Sequence, residues 1–225
     1  MKSLLKIGFV AAFILAMAQL SCAIHADKSN QAVLLPDTTA GSGGKGGCSN
    51  YSVSNIPASP LSENEKQGLI FMREEEKLAR DVYTAMIEFW DIPVFSNISR
   101  SETSHMEAIL ALLEKYQIPD PVTTDKPGVF TNPAFTSLYQ TLVNQGKNNL
   151  VDALRAGALI EETDIADLRE RMKASDNEDI KLVYENLLQA SYRHLRAFSR
   201  NLEFREATYT PQRLSQKEID EILNM

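Results

Sequence analysis

Glu102-Thr103-Ser104-His105 is the most informative short motif of this 225-residue chain. A glutamate and a histidine three residues apart lie about one turn apart on the same side of a helix, so both can reach one metal ion. Such pairs also occur on solvated helix surfaces, so the apolar residues of the segment 97–116 show which way the pair points. These residues are Ile98, Ile109, Leu112, Leu113 and Tyr116. They share the face of Glu102 and His105, which predicts a helix that turns both side chains inward.

The preceding segment, residues 62–89, is also predicted to be a helix. Ser62 and Glu65 form a capping box at its start, and apolar residues recur at steps of three and four. These residues are Leu69, Met72, Ala79, Tyr83 and Met86. Glu76 fills the gap in this apolar face, where burial is unfavourable unless a cation, an arginine or a raised pKa compensates for it. The alternative is a slight rotation that brings Glu76 to solvent beside Glu74 and Glu75.

The third predicted helix, residues 149–174, is interrupted in the same way. Its apolar face carries Leu154, Ala158, Ile165, Leu168 and Met172. Glu161 stands on this face where an apolar residue is expected, and Asp164, three residues further on, is placed to share the site. Glu162 is the competing candidate if the helix is rotated.

The fourth predicted helix, residues 176–202, begins with Asp176 as its N-cap. Its apolar face includes Ile180, Tyr184, Leu187 and Phe198. His194 interrupts this face, and Ser191 lies one turn before it. Ligand-type side chains thus interrupt the apolar faces of all four long helices, which indicates a shared polar centre inside the fold.

Helix lengths and connections favour an all-α architecture. The four helices span roughly 20 to 29 residues each, and strand signals are nearly absent. Short turns near 91–93 and 175–177 make helices 1 and 2, and helices 3 and 4, antiparallel neighbours. Residues 117–148 contain a short helix that starts at Pro133, capped by Asn132. This order predicts an antiparallel four-helix bundle with one long crossover between helices 2 and 3, the connectivity of ferritin-like proteins.

Four segments carry a resemblance to a known family. They are 72–83, 101–106, 160–165 and 194–198. The pattern Glu76-x-x-Ala79-Arg80-x-x-Tyr83, followed by Glu102-x-x-His105, resembles the rubrerythrin branch of the ferritin-like di-iron proteins. Residues 61–204 more closely resemble an uncharacterised ferritin-like family of bacteria and archaea, catalogued as domain of unknown function 2202. The resemblance implies a ferritin-like bundle but brings no settled function.

The resemblance also implies a set of metal ligands. In ferritin-like di-iron proteins, two helices each give one glutamate and the other two each give Glu-x-x-His. By position, the implied ligands are Glu76 and Glu161 as single or bridging carboxylates, Glu102 and His105 as the first pair, and His194, with Glu162 and Asp164 as further candidates. The second-pair glutamate is expected where this chain has Ser191. Five ligands hold two ions if water or Asp164 completes the shell, and otherwise only one. A glutamate restored at position 191 is expected to strengthen binding.

Three functions are open at this point. The first is an exported di-metal carboxylate protein that oxidises iron(II) with oxygen or peroxide. Hydrogen bonds to its ligands would come from Tyr83, Ser191, Tyr192 or Arg80. The second is a metal-binding module without turnover, and the third is a metal-free helical interaction domain. The implied cofactor is iron, two ions, although carboxylates and imidazoles suit manganese and zinc as well.

Residues 1–26 are predicted to be a signal peptide. Lys2 and Lys6 precede an uncharged apolar run, 7–20, and small residues follow it. The run is shorter than a membrane span requires, so export to the periplasm, the cell surface or the medium is expected. Lipidation of Cys22 is the one predicted route to membrane anchoring.

The rest of the chain divides into three parts by composition. Residues 27–60, rich in Ser, Gly, Thr, Asn and Pro, are predicted to be a flexible linker. Residues 61–204 form the predicted bundle, and 205–225 a tail with a short helix that Ser215 and Glu218 cap.

Charge narrows the classes of partner. The chain has 23 basic and 30 acidic residues, a net charge of −7. This balance argues against nucleic-acid binding. Metal ions are the expected partners, and a homodimer is an assembly that the sequence permits.

Overall fold

The computed structural model describes residues 55–225, which form six α-helices and no strand. The helices are α1 (Glu63–Phe89), α2 (Pro93–Lys115), α3 (Pro133–Gly146), α4 (Leu150–Ala174), α5 (Glu178–Glu203) and α6 (Gln216–Leu223). The all-α prediction is therefore confirmed for this range. The predicted signal peptide and residues 27–54 of the predicted linker lie outside the described residues and stay predictions. Within 55–225, none of the helices combines the length and the apolar character that a membrane span needs.

The predicted helix starts are largely confirmed by capping contacts. At α1, Ser62 Oγ accepts from the Glu65 amide at 3.2 Å, and the Glu65 carboxylate accepts from the Ser62 amide at 2.8 Å. A second capping box of the same kind begins α6. Asn132 caps α3 and Asn149 caps α4 through their side chains. These capping contacts join residues that are close in sequence, so they can be recognised without knowledge of the tertiary structure.

Two helix starts differ from the prediction. α2 begins at Pro93, four residues before the predicted start, with Ile92 at the N-cap and no side-chain cap. Proline is well suited to the first helical position because it has no amide hydrogen to satisfy there. α5 begins at Glu178 rather than near Asp176, because the amides of Asp176 and Asn177 donate to the Glu65 carboxylate of α1.

The four long helices pack into a closed ring. α1 packs against α2, and α4 against α5; residues 90–92 and 175–177 join the members of each pair. Contacts of α1 with α4 and of α2 with α5 complete the ring, while α3 packs on α1 and α4, and α6 on α5. The interior is mainly apolar; fully buried members include Leu69, Met72, Ile109, Leu154 and Phe198. This packing is compatible with the predicted four-helix bundle, and it aims one face of each long helix at a shared interior.

The middle of α1 is buried on every side. All residues from Met72 to Ala79 are buried, because the long crossover covers the face that α2 and α4 leave open. The Glu74 carboxylate accepts from the Thr131 amide at 2.5 Å, and Arg73 pairs with Asp120 at 2.9 Å. The alternative in which α1 turns Glu74, Glu75 and Glu76 to solvent is therefore wrong.

Candidate metal centre

All five predicted ligands from the four long helices lie together in the interior. They are Glu76 on α1, Glu102 and His105 on α2, Glu161 on α4 and His194 on α5. The four residues other than His194 are each 2% exposed, and His194 is 8% exposed. The inward direction of these side chains follows from the apolar faces on which they stand, because each face is held against the core by its neighbours.

The five side chains form two groups that overlap at Glu102. Glu76, Glu102 and His105 make one group, and Glu102, Glu161 and His194 make the other, with the ligand atoms of each group within 4.8 Å of one another. Glu102 Oε2 lies 2.6 Å from His105 Nδ1, and Glu102 Oε1 lies 3.0 Å from His194 Nδ1. The two oxygens of one carboxylate thus contact the histidines of two different groups.

The remaining distances complete each group. His105 Nδ1 lies 3.2 Å from Glu76 Oε2, and His194 Nδ1 lies 3.3 Å from Glu161 Oε2. The two imidazole rings stack with centroids 5.6 Å apart and planes 23° apart. Each group therefore presents one imidazole nitrogen, one unshared glutamate and the shared Glu102.

Burial and charge shift the pKa values of these groups in opposite directions. Burial would raise the pKa of Glu102, but the imidazoles of His105 and His194 hold that pKa well below its usual range. Burial raises the pKa of Glu76 to about 7, against the lowering influence of His105. Burial would lower the pKa of His194, but Glu102 and Glu161 raise it to about 10. Without a cation, the centre therefore keeps protons on imidazole, and a bound cation would displace them.

Several atoms of the centre have no hydrogen-bond partner. These buried atoms are Glu76 Oε1, Glu102 Oε1 and His194 Nδ1. His194 Nδ1 and Glu102 Oε1 are close, yet their geometry is not that of a hydrogen bond. Buried carboxylates and imidazoles without partners are unfavourable unless something else satisfies them. Divalent ions fit this donor set, because carboxylate oxygen and imidazole nitrogen are ligands for Fe, Mn and Zn.

Two hydroxyl groups contact the ligands directly. The Tyr83 hydroxyl donates to Glu161 Oε1 at 2.6 Å, while its ring packs on those of Phe95 and Phe198. Tyr83 is thus both a core aromatic and a hydrogen-bond partner of the centre. Ser101 Oγ lies 3.4 Å from His105 Nε2. Ser101 was missed from sequence, although its spacing of four residues from His105 on one helix was the signal that could have found it.

Two other predicted partners of the ligands point elsewhere. Arg80 pairs with Asp81 at 2.8 Å and with Asp125 at 2.6 Å, which ties α1 to the crossover. The Tyr192 hydroxyl accepts from Arg169 at 3.1 Å. Neither side chain contacts the five ligands through a described hydrogen bond, because the charged partners on the outer side of each helix hold them there.

The two further candidate ligands, Glu162 and Asp164, have different surroundings. Glu162 is fully buried, but its carboxylate accepts from the amides of Gln212, Arg213 and Leu214, at 2.7 to 3.0 Å, and from the Tyr209 hydroxyl. It holds the C-terminal segment against α4 and does not join the centre. Asp164 is buried on the inner side of α4, where its Oδ2 accepts from Ser191 Oγ.

Glu75 was not predicted to be a buried residue. It is 3% exposed, and its Oε2 has no hydrogen-bond partner. Burial raises the pKa of Glu75 well above its usual range, and the charges of Asp167 and Asp164 raise it further. No local signal in the sequence marks this position as buried, since its burial depends on the helices packed around α1.

Comparisons with known proteins find relatives that are themselves described as uncharacterized or hypothetical. A family model described as "Uncharacterized protein domain (DUF2202)" matches residues 65–225. The uncharacterized protein MJ0754 of Methanocaldococcus jannaschii is 54% identical over 172 residues, which cover 76% of this chain and 93% of that protein. The crystal structure of hypothetical protein MJ0754 from Methanococcus jannaschii DSM 2661 matches with a TM-score of 0.74 and 54% identity. The match covers 76% of this chain and 97% of the solved one.

Proposed function

This chain belongs to the uncharacterized DUF2202 domain family, and from its buried centre we propose that it is a protein that binds two divalent metal ions. The ions would lie in the interior between the four long helices. We further propose that these helices form a ferritin-like four-helix bundle. The closed ring of α1, α2, α5 and α4, with one long crossover between α2 and α4, supports that assignment.

One observation carries the proposal. Glu102 directs one carboxylate oxygen to the group of His105 and the other to the group of His194. In a metal-free interaction domain, one of these buried carboxylate oxygens would stay without a hydrogen bond, which is unfavourable. Two cations on either side of Glu102 would satisfy both oxygens.

The residues of the centre have separable roles in this proposal. Glu76 and His105 would hold one ion, Glu161 and His194 the other, and Glu102 both. If the two ions are iron, they would form the centre at which oxygen or peroxide oxidises iron(II). The Tyr83 hydroxyl orients Glu161 and keeps one of its oxygens engaged. The apolar layers around the centre exclude water, which strengthens every charge interaction inside it.

The alternative is metal binding without turnover. It is favoured by Ser191, which stands where the ferritin-like pattern places a sixth ligand and is fully buried. Fewer carboxylates would weaken the binding of hard cations and the chemistry that depends on them. Oxygen consumption by the purified protein with added iron(II) separates the two functions: uptake of oxygen supports oxidase activity, and bound iron without uptake supports the module.

Metal stoichiometry tests the two-ion centre. Protein purified without a histidine tag is expected to bind two ions per chain. His105→Ala and His194→Ala should each lose one ion, whereas Glu102→Ala should lose both, because only Glu102 belongs to both groups. Unchanged metal content in all three variants would refute the proposal.

Two adjacent buried glutamates on α4 supply a matched control. Glu161→Gln removes a predicted ligand, whereas Glu162→Gln removes a carboxylate of equal burial that binds the C-terminal segment instead. Metal content should fall in the first variant and stay at the wild-type value in the second. Equal loss in both variants would mean that general destabilisation, and not ligation, controls metal content.

We also propose that the domain is exported, on the strength of the predicted signal peptide alone. The N-terminal sequence of the mature protein and its distribution between cell fractions test this. A mature chain that still begins at Met1 and lies in the cytosol would refute it.

A further inference from the structure

Position 191 on α5 is where the ferritin-like pattern places a carboxylate, and here a serine fills it. Ser191 is fully buried, and its hydroxyl lies 2.9 Å from the carbonyl of Leu187. The same hydroxyl contacts Asp164 Oδ2 across the interface of α4 and α5. A carboxylate therefore does reach this location, but it comes from the neighbouring helix.

The Asp164 carboxylate is only half satisfied. Ser191 engages its Oδ2, whereas its Oδ1 is buried and has no hydrogen-bond partner. Asp164 lies one turn after Glu161 on the inner side of α4, and its residue exposure is 6%. Its partner Ser191 lies one turn before His194 on α5, so Asp164 is next to the Glu161 turn of α4 and to the turn of α5 that precedes His194. Asp164 is not among the ligand atoms that lie within 4.8 Å of one another, but it adjoins the Glu161 and His194 turns and has one buried oxygen without a hydrogen-bond partner.

We propose that Asp164 is a further carboxylate ligand of the metal centre, and that it supplies from α4 the ligand that α5 lacks at Ser191. This inference rests on the proposed function, since it concerns the ions of the same centre. Ser191 is a positioning residue in this arrangement: its hydroxyl fixes Oδ2 and so directs Oδ1 at the centre.

The charge of the centre agrees with this assignment. Glu76, Glu102 and Glu161 supply three negative charges, and Asp164 makes four. Two divalent cations carry four positive charges, so these four ligand carboxylates balance them when both imidazoles are neutral. In a buried site an uncompensated charge is strongly unfavourable, so a balanced set binds more tightly than a set with one charge missing.

The test is equilibrium dialysis against iron(II) under nitrogen, on wild-type protein and Asp164→Asn. The amide keeps the shape of the side chain but removes its charge. Wild type is expected to bind two ions, and Asp164→Asn to bind at least one of them at least about tenfold more weakly. Binding of two ions at wild-type affinity in Asp164→Asn overturns the inference while leaving the proposed function intact. Absence of bound metal in the wild type overturns both.

Variants at position 191 give an independent measurement. If Asp164 already fills the place of the missing ligand, Ser191→Glu alone should give no tighter binding, because two carboxylates would compete for one place. This expectation replaces the one drawn from sequence. The double variant Asp164→Asn with Ser191→Glu should recover the affinity that Asp164→Asn loses. Tighter binding by Ser191→Glu alone would show that the position is vacant and would overturn the inference.

Thermal unfolding separates ligation from a structural role. In metal-free protein, Asp164→Asn should unfold at the wild-type temperature or above it, because the amide relieves an unsatisfied buried carboxylate. Its stabilisation on adding iron(II) should be smaller than that of the wild type. A lower unfolding temperature without metal, combined with an undiminished shift on adding iron(II), would mean that Asp164 only supports the fold, and would overturn the inference.

Discussion

Glu65 is expected to make the stability of this protein depend on pH below about pH 5. Its carboxylate lies at the start of α1 and binds the turn between α4 and α5. It accepts from Ser175 Oγ at 2.7 Å, from Asn177 Nδ2 at 2.9 Å and from the Asp176 amide at 3.1 Å. Residues more than a hundred positions apart are thus joined through one side chain. The perturbation is Glu65→Gln, studied in metal-free protein so that the metal centre does not contribute.

The magnitude follows from the pKa of this carboxyl group. Burial would raise the pKa of Glu65, but hydrogen bonds from Ser62, Asn177 and Ser175 outweigh it and lower the pKa from 4.5 to about 2. One pKa unit corresponds to about 1.4 kcal/mol, so the folded protein gains about 3 kcal/mol from the ionised carboxylate. Because the folded pKa is the lower one, this stability is present above pH 4.5 and is lost as the pH falls towards 2.

The assay is urea unfolding at a series of pH values, with Glu63→Gln as the control. Glu63 is exposed in the same turn of α1. The difference in unfolding free energy between wild type and Glu65→Gln should be about 3 kcal/mol at pH 7 and at pH 5.5, and about 1 kcal/mol at pH 3. Other carboxylates titrate in both proteins, so their effects cancel. A difference that does not change with pH would show that packing, and not charge, explains the effect of Glu65.

Three further substitutions test contacts around the candidate metal centre and at the C-terminal segment. Tyr83→Phe, which removes the hydrogen bond to Glu161, should lower the unfolding free energy by about 1 to 2 kcal/mol while two ions still bind. Gly157→Ala should lower it by about 1 kcal/mol in urea unfolding, because a Cβ there would lie 2.4 Å from Phe198 Cε1, which outweighs the gain in helix propensity. Glu162→Gln should make the segment 205–215 more sensitive to limited proteolysis, because four hydrogen-bond donors lose a charged acceptor. Unchanged cleavage would contradict the conclusion that Glu162 binds the C-terminal segment to α4.

Local signals explain which parts of the fold were predictable. The capping residues Ser62, Asn132 and Ser215 were identified from sequence because each bonds to an amide within three residues. The start of α2 was misplaced because Ile92 gives no side-chain cap and only Pro93 marks the boundary. Helix ends that lack a local polar signal are set by the packing of the whole chain.

The candidate metal centre, like the helix boundaries, could be predicted only in part. Periodicity indicated that Glu76, Glu102, His105, Glu161 and His194 stand on apolar faces, and the structure brings these five side chains together. Periodicity alone could not separate Glu161 from Glu162, which differ by one step around α4. Contacts from residues 209–214, far along the chain, bury Glu162 on the opposite side. Distant segments therefore decided which of two adjacent glutamates faces the interior.

The four long helices, and the one or two ligand-type side chains on the inward face of each, could be predicted from the amino-acid sequence. These features depend on the spacing of residues within a single helix, and the helical period of 3.6 residues can be recognised in that spacing. The contacts of Glu102 with both groups, and the contact of Asp164 with Ser191, could be found only in the packed structure. Those relations depend on how far apart the helix axes lie and how each helix is rotated, which hundreds of small packing contacts set together and no local pattern encodes.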